Sequence, residues 1–204
     1  RREGLWAAEA MSLVALPDRD AVLDKLVYVA TNPIKARLVA RIHHWPGVHT
    51  LADLLDNRTS VAVRPATFFR RRHGLPHALA LASTIPAALG PAAAFRAELA
   101  ARVDAEVDRL ARLRGSAPVL GRAAVLKQDP LAFPARDEPA GSLRPRFASR
   151  SRWLRRQLRD QERAFLDAYR AARVAWLAGV RDVCFPPGTY WLHRFADVKV
   201  APLA

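Results

Sequence analysis

Apolar residues recur at helical spacing in three long stretches of the chain. The first begins at Ala21, directly after Asp18 and Asp20, two residues of a type that favours a helix start. The second covers residues 91–114 and the third covers residues 151–178. Each stretch carries one apolar stripe with polar residues on the opposite side, as expected for helices that pack on one face only. The pattern predicts a mainly helical chain.

Pro33 interrupts the first of these stretches. Because a proline ring disfavours helical geometry in the residue before it, we expect the first helix to end there. A second short helix is predicted over residues 34–39, with Asn32 as its cap and the proline in its first turn. Another short helix is predicted over residues 50–55, after a turn at residues 43–48.

Extended segments are few. Strands are predicted at residues 5–16 and 59–69, from their apolar and β-branched content. Residues 115–149 hold five of the fifteen prolines and lose periodicity, which predicts a linker with one helical turn at residues 122–127. The chain closes on an aromatic turn at residues 185–191 and contains no internal repeat. The pattern thus adds a few short strands to the helices.

The chain carries a large excess of positive charge, which indicates what kind of partner it binds. Lysine and arginine number 33 against 19 acidic residues, a net charge of +14, and 29 of the 33 are arginine. Residues 141–177 hold ten arginines and three acidic residues. The planar guanidinium suits phosphate oxygens, so the excess favours a polyanionic partner, nucleic acid first. A solvated helix face, or arginine and alanine raised together by GC-rich coding, is the alternative.

The predicted helix over residues 151–178 concentrates both signals. Most of the candidate DNA-binding residues lie on its polar side or directly before it. They are Arg150, Arg152, Arg155, Arg156, Arg159 and Arg163. Its apolar side is predicted to consist of Trp153, Leu154, Leu158, Phe165, Tyr169, Ala172 and Trp176. We expect the aromatic side chains of this stripe to face a core; stacking on nucleic-acid bases is the alternative.

Several classes of protein are disfavoured. No run of 18 apolar residues exists, so no membrane-spanning helix and no membrane partner is expected. The single cysteine, Cys184, cannot form an internal disulfide or a cysteine-based zinc site, which favours a cytoplasmic setting. The chain begins with Arg1, and its only methionine is Met11. We therefore expect the true start of the protein to lie upstream.

Tyr28 and Asn32 lie four residues apart in the first predicted helical stretch and so share one side of it. A phenol can act as a nucleophile when a nearby cation lowers the cost of its phenolate. An amide oxygen is a hard ligand that suits Mg²⁺ or Mn²⁺. Spacing alone also allows the alternative that the tyrosine is a packing residue and the asparagine a helix cap.

The stretch from Tyr28 reads Tyr-Val-Ala-Thr-Asn-Pro-Ile-Lys-Ala-Arg-Leu-Val, and Trp-Pro-Gly follows at residues 45–47. This order resembles the signature of REP-associated tyrosine transposases, which are single-tyrosine members of the HUH endonuclease superfamily. The resemblance covers roughly residues 5–50. A weaker similarity, over residues 150–176 and 185–191, is to a long-tailed bacterial subgroup of these transposases.

The resemblance implies an α+β fold by family and a division of the chain into two parts. Residues 1–57 would be the C-terminal remnant of a ferredoxin-like HUH catalytic domain. Residues 58–204 would be an arginine-rich helical accessory region, with the proline-rich linker inside it. The implied function is DNA transposition, through cleavage and rejoining of single-stranded or hairpin DNA. A nucleoid-associated bacterial protein, with a homodimer as one implied assembly, would fit this function.

The resemblance also gives roles to matched residues. Tyr28 would attack a DNA phosphodiester and form a 5′-phosphotyrosine link, and Asn32 would be the third ligand of a divalent Mg²⁺ or Mn²⁺. Lys35 and Arg37, in the same signature, would contact DNA. The other two metal ligands would come from a His-hydrophobic-His motif, which is absent from this sequence. Whether this chain is itself an enzyme therefore stays open.

Two other functions remain as alternatives. The first is a non-catalytic DNA-binding module derived from a transposase, and the second is an arginine-rich RNA-binding protein. The spacing of His43, His44 and His49 matches no usual metal site, so we expect these side chains to lie at the surface or to face phosphate. Cys184 has no basic activator placed by a motif and is predicted to be a small buried residue.

Overall fold

A computed structural model describes residues 14–65, 77–129 and 145–202 of the chain. These residues are mainly α-helical, with a few short strands, as the periodicity predicts. They form two compact units, a larger one from residues 16–65 and 77–129 and a smaller one from residues 14–15 and 145–202. The division predicted at residue 57 falls inside the larger unit and does not coincide with the boundary between the two.

The larger unit is built around a pair of helices, α1 (Arg19–Lys35) and α3 (Ala92–Arg114). The α1 helix starts where its cap predicts, because Asp18 Oδ1 accepts a hydrogen bond of 2.7 Å from the Ala21 amide. The two helices pack against each other. Their shared core consists of Leu23, Ala30, Phe95, Leu99 and Val103.

The prediction that the first helix ends at Pro33 is wrong. The α1 helix continues to Lys35, Asn32 lies inside it rather than capping it, and no second helix forms at residues 34–39. Pro33 sits in the last turn, where its missing N–H removes only one helical hydrogen bond. The helix then closes with hydrogen bonds from Arg37 N to Ile34 O (2.9 Å) and from Leu38 N to Pro33 O (3.0 Å).

A short hairpin follows α2 (Leu51–Leu55), the short helix predicted near residue 50. Strands β1 (Thr59–Val63) and β2 (Ala78–Ala82) pair antiparallel, with Thr59 opposite Ala82. The second strand was not expected from the sequence. Of the predicted strands, residues 5–13 and 66–69 lie outside the described residues, and residues 14–16 contribute only a bridge at Ala15.

Helix α3 lies between Pro91 and Gly115, which confirms its predicted bounds. The short α4 (Arg122–Leu126) confirms the helical turn expected in the proline-rich region. The backbone just before α4 is tied to the end of α1, because Leu120 N and Gly121 N donate to Arg37 O and Leu38 O at 2.9 Å. Residues 130–144 of the predicted linker lie outside the described part of the chain.

The smaller unit is dominated by α5 (Arg152–Leu177), in agreement with the predicted long helix. Ser151 caps it, its Oγ accepting a hydrogen bond of 3.2 Å from Leu154 N. Two short strands, β3 (Cys184–Phe185) and β4 (Lys199–Val200), pair in parallel, and the short α6 (Tyr190–Phe195) lies between them in sequence. Cys184 is exposed, contrary to the buried position that we predicted, since β3 turns Phe185 inward instead.

Little of α5 is buried within its unit. Ala172 is its only buried residue, and Tyr169 packs edge-on against Phe185 at 5.7 Å between ring centroids. Trp153 is 71% exposed, so the expectation that it faces a core is wrong. The reason is its register, because one residue along a helix is a rotation of about 100°, which moves Trp153 off the stripe that contains Leu154.

No helix in the described ranges is long and apolar enough to cross a membrane.

Candidate nucleic-acid interface

The Tyr28 side chain lies on the outer face of α1. The buried residues of this helix, among them Leu23 and Ile34, face the other way, towards α3 and the core. Tyr28 is 48% exposed, and Asn32, one turn further along the helix, is also exposed. The phenol and the amide are therefore displayed side by side on one solvent-facing surface.

Two lysines flank the Tyr28 ring. The Nζ atoms of Lys25 and Lys35 lie 5.5 Å and 5.4 Å from the ring centroid, within the range of cation–π attraction. The spacing of Lys25, three residues before the tyrosine, was a usable signal that our sequence analysis missed. Two ammonium groups beside an exposed phenol form a local field that suits an approaching phosphate.

Arg37 occupies an unusual backbone position directly after α1. Its φ of 57° lies in the left-handed region, and its amide and that of Leu38 close the helix in the pattern where glycine is the preferred residue. The Arg37 side chain is exposed, as is that of Lys35 at the end of α1. Both candidate DNA-binding residues of the signature are therefore accessible.

The residues around Tyr28 do not make up a metal site. Divalent Mg²⁺ requires near-octahedral oxygen coordination, to which Asn32 contributes one amide oxygen. Across residues 14–65, 77–129 and 145–202, no group of three or more histidine, cysteine, aspartate or glutamate side chains could hold a metal ion. His43 and His44 contact each other edge to face at 4.4 Å between ring centroids and lie at the surface, as does His49. The described residues therefore do not fit a complete divalent-metal centre.

The second candidate surface is the arginine side of α5. Taking about 100° per residue, Arg152, Arg156, Arg159 and Arg163 fall within roughly 60° of one another, opposite the apolar stripe. All four are exposed. The eleven helical steps from Arg152 to Arg163 span about 16 Å, a length comparable to several phosphates of one DNA strand. We call these four residues the α5 arginine face.

The remaining candidate arginines of this region have structural contacts. Arg155 is half-buried, and its guanidinium donates to Ser149 O just before the helix. Arg150 also interacts with the protein. In contrast, Arg152, Arg156 and Arg163 make no ion pair or hydrogen bond with any described residue. The cations most available to a ligand are thus those of the α5 arginine face.

Aromatic side chains that sequence reasoning left aside are also exposed in the smaller unit. Trp191 and Phe195 of α6 form a tilted pair at 5.4 Å between ring centroids, and both are exposed. The Arg194 guanidinium lies 5.6 Å from the centroid of the Phe195 ring. Their four-residue spacing was the available signal, but it does not distinguish an exposed pair from a buried one.

No family model matches the chain, and neither a curated protein nor a solved structure matches it. The similarity to REP-associated tyrosine transposases therefore depends on the sequence patterns alone, chiefly the residues from Tyr28 to Gly47, with the weaker similarity over residues 150–176 and 185–191. What the structure adds is geometry, namely an exposed tyrosine between two lysines in one unit and an exposed arginine face in the other.

Proposed function

We propose that this protein binds single-stranded DNA and serves in DNA transposition, with Tyr28 as the residue that joins covalently to the cleaved strand. The observation that carries the proposal is the exposed position of Tyr28 between Lys25 and Lys35, with Asn32 on the same face. The resemblance of the surrounding signature to single-tyrosine transposases supports it, and so does the α5 arginine face, which is suited to a phosphate backbone.

The proposed reaction conserves the energy of the phosphodiester. The Tyr28 phenol gives up its proton, and its oxygen forms a bond to phosphorus while the bond from phosphorus to the 3′ oxygen breaks. The 3′ oxygen leaves and takes up one proton, so no net proton is released, and the phosphate then joins the tyrosine oxygen to the 5′ oxygen of the downstream nucleotide. The reverse reaction reseals a strand without a nucleotide cofactor. Lys25 and Lys35 hold the negatively charged phosphate beside the phenol.

The experiment is a search for the covalent adduct. The purified chain is incubated with single-stranded and hairpin DNA in the presence of Mn²⁺, and any protein–DNA adduct is mapped by mass spectrometry. We expect slow cleavage with the adduct on Tyr28, because Asn32 alone does not complete a metal centre. Tyr28→Phe removes one oxygen and should abolish the adduct, whereas Tyr169→Phe in α5 is a matched control. Efficient cleavage that survives Tyr28→Phe would contradict the proposal.

A second candidate function is a DNA-binding module without catalysis. The specific observation in its favour is that, in the described part of the chain, the phenol has no metal-binding cluster beside it. DNA binding without any Tyr28 adduct, under conditions where a hairpin is bound to saturation, would favour this module. Tighter binding of an RNA hairpin than of a DNA hairpin of equal length would instead favour an RNA-binding protein.

A further inference from the structure

An apolar groove of about 260 Å³ lies along α1, next to the Tyr28 face. One wall comes from α1 and the other from the segment that leads into α2. The volume lies just below the range of pockets for drug-sized ligands and suits a single flat ring system. Its lining includes Val29 and Pro33 on one side and Trp45, Val48, His49 and Thr50 on the other.

Trp45 is held as a fixed wall of this groove. Its amide donates to Ile42 O at 3.0 Å, which closes the single 3₁₀ turn before it. The indole lies against Gly47 so closely that a Cβ atom on that glycine would come within 2.5 Å of Trp45 Nε1. Only glycine allows this approach, so the sequence Trp-Pro-Gly orients the ring. The indole is half-buried and lines the groove.

The groove is open to a ligand from solvent. Val29 is 68% exposed and Val48 is 96% exposed, although both are apolar. His49 and Thr50 are the polar members of the lining, and both are exposed. An apolar slot with one aromatic wall and two hydrogen-bonding groups suits a planar heterocycle better than an aliphatic side chain.

The positive charge around the groove favours a planar ligand that also carries phosphate groups. From Lys25 to Thr50 the sequence contains four lysines and arginines, three histidines and no acidic residue. The acidic side chain of α2, Asp53, accepts a hydrogen bond from Ser60 Oγ and forms an ion pair with Arg58. The surroundings of the groove are therefore complementary to a ligand that joins a flat ring to phosphates, which is the chemistry of a nucleotide in a strand.

The groove and the Tyr28 face adjoin along α1. Val29 follows Tyr28 directly and lies three residues before Asn32, so the groove wall and the polar pair are neighbouring strips of one helix. A strand with one base in the groove would run its backbone past Lys25, Tyr28 and Asn32.

We propose that this groove takes up one unpaired base of the bound DNA strand, stacked on Trp45, and thereby holds the strand across Tyr28. The inference rests on the proposed function in requiring single-stranded DNA as the ligand. It goes further by assigning base contact to Trp45 and phosphate contact to its basic surroundings. Neither contact depends on a metal ion.

The test compares two probes that differ only in their bases. One is a thymidine 12-mer, and the other is a 12-mer of the same backbone with abasic sites throughout. We expect the chain to bind the thymidine strand more tightly. Removing a stacking aromatic by alanine substitution costs about 5- to 160-fold in affinity per base, so Trp45→Ala should weaken binding of the thymidine strand by a factor in that range. Binding of the abasic strand should not change.

Three further variants distinguish stacking on Trp45 from other effects of the alanine substitution. Trp45→Phe retains a ring and should restore most of the preference for bases. Val29→Trp fills the groove from an exposed position, so it should remove the preference without disturbing the core. Trp153→Ala removes an exposed indole of α5 and should leave the preference unchanged.

The outcomes separate the two proposals. Equal affinity of the wild-type chain for both probes, or equal losses on both with Trp45→Ala, would overturn the base-binding groove and leave DNA binding intact. A loss of base preference with Trp153→Ala and none with Trp45→Ala would move the stacking to α5 and also overturn the inference. Failure to bind either probe at low salt would overturn the proposed function itself.

Discussion

The two longest helices of the protein, α3 and α5, use arginine in opposite ways. The 23 residues of α3 contain five arginines and four acidic residues, and the 26 residues of α5 contain seven and three. In α3, Arg102 contacts Asp20 and Glu98 at 2.6 Å and Asp24 at 3.3 Å, and Arg109 pairs with Glu106 at 2.6 Å. Arg102 thus joins α3 to α1, and Arg109 is neutralised within α3 itself.

The two helices also differ in how much of their apolar side is buried, and α3 again makes more contacts within its unit. Phe95, Leu99 and Val103 of α3 are buried against α1, whereas α5 buries only Ala172. The α5 helix buries little of its surface. Six of its seven arginines have no acidic partner among the described residues, and Arg170 pairs with Asp167 at 3.3 Å. Arginine content alone therefore does not distinguish the two helices. Exposure and the scarcity of acidic partners among the described residues do, and they make the α5 arginine face the candidate surface.

The largest expected effect is on the stability of the larger unit. Phe95 is almost wholly buried at the contact between α1 and α3, with the Arg19 guanidinium 5.6 Å from its ring centroid. Phe95→Ala should lower the free energy of unfolding by about 3–5 kcal/mol, through lost burial and the cavity left behind. Urea unfolding followed by circular dichroism measures this effect. Phe165→Ala, at a partly exposed position in α5, should cost about 1 kcal/mol, and equal losses at both sites would remove the contrast.

The next prediction concerns the α5 arginine face. Binding of single-stranded DNA should weaken linearly in log affinity against log salt, with a slope of about −0.7 for each phosphate contact. Changing Arg152, Arg156, Arg159 and Arg163 together to Gln should flatten that slope by about 2 to 3 units. The loss should be similar for unrelated sequences, because phosphates carry no sequence information. Fluorescence anisotropy over a salt series measures both effects.

A charge-matched control decides whether position matters. Changing Arg109, Arg112, Arg122 and Lys127 to Gln removes four positive charges from the larger unit instead. This variant should keep nearly the full salt slope. If the two variants lose the same slope, the DNA responds to net charge and the α5 arginine face has no special role.

The sequence predicts the helices well where their ends carry local signals. Pro91 and Gly115 bound α3, and Ser151 begins α5 through a hydrogen bond to its own first turn. The rule for proline fails at Pro33, because one missing hydrogen bond in a last turn costs less than the packing of α1 on α3 gains. Strand β2 was missed because its alternating alanine and leucine are weak strand formers, and because 14 residues separate it from its partner β1, so no two-residue turn marks the pair.

The candidate site shows the same division between local and tertiary signals. The shared face of Tyr28 and Asn32 follows from their spacing in any helix. That this face points away from the core depends on the position of α3, which no local pattern encodes. The groove beside it needs Trp45 and Val29 to meet across a turn, and the only sequence signal was the glycine that admits the indole.

A smaller effect should separate the backbone role of an arginine from its charge. Arg37 has a positive φ, which costs a residue with a side chain about 1 kcal/mol relative to glycine. Arg37→Gly should therefore raise the free energy of unfolding by about that amount. If its side chain contacts DNA, as the signature implies, the same variant should flatten the salt slope by about 0.7. Arg37→Lys keeps the charge and should change neither quantity much. Unchanged DNA binding in Arg37→Gly would remove Arg37 from the interface.

The smallest expected effect is a pH dependence confined to the α1–α3 pair. A hydrogen bond from Arg102, assisted by Arg19, holds the pKa of the Glu98 carboxyl below its ordinary value. A carboxyl with a lowered pKa in the folded state stabilises that state above its unfolded pKa, and this contribution is lost as the pH falls through the folded value. Stability should therefore decline below about pH 4, and Glu98→Gln should flatten the decline.

Urea midpoints measured between pH 6 and pH 2.5 follow this decline. The control is Asp160→Asn in α5, because Asp160 forms no ion pair with the described part of the chain. This variant measures the effect of removing one unpaired acidic group on the urea midpoint. Arg102→Gln should make the midpoint less sensitive to Glu98→Gln, because the larger of the two hydrogen-bond contributions that lower the pKa is then absent while that of Arg19 remains. If Glu98→Gln and Asp160→Asn change the fall of the urea midpoint at low pH equally, the ion pairs of α3 do not stabilise its contact with α1. The contrast between α3 and α5 would then depend on apolar burial alone.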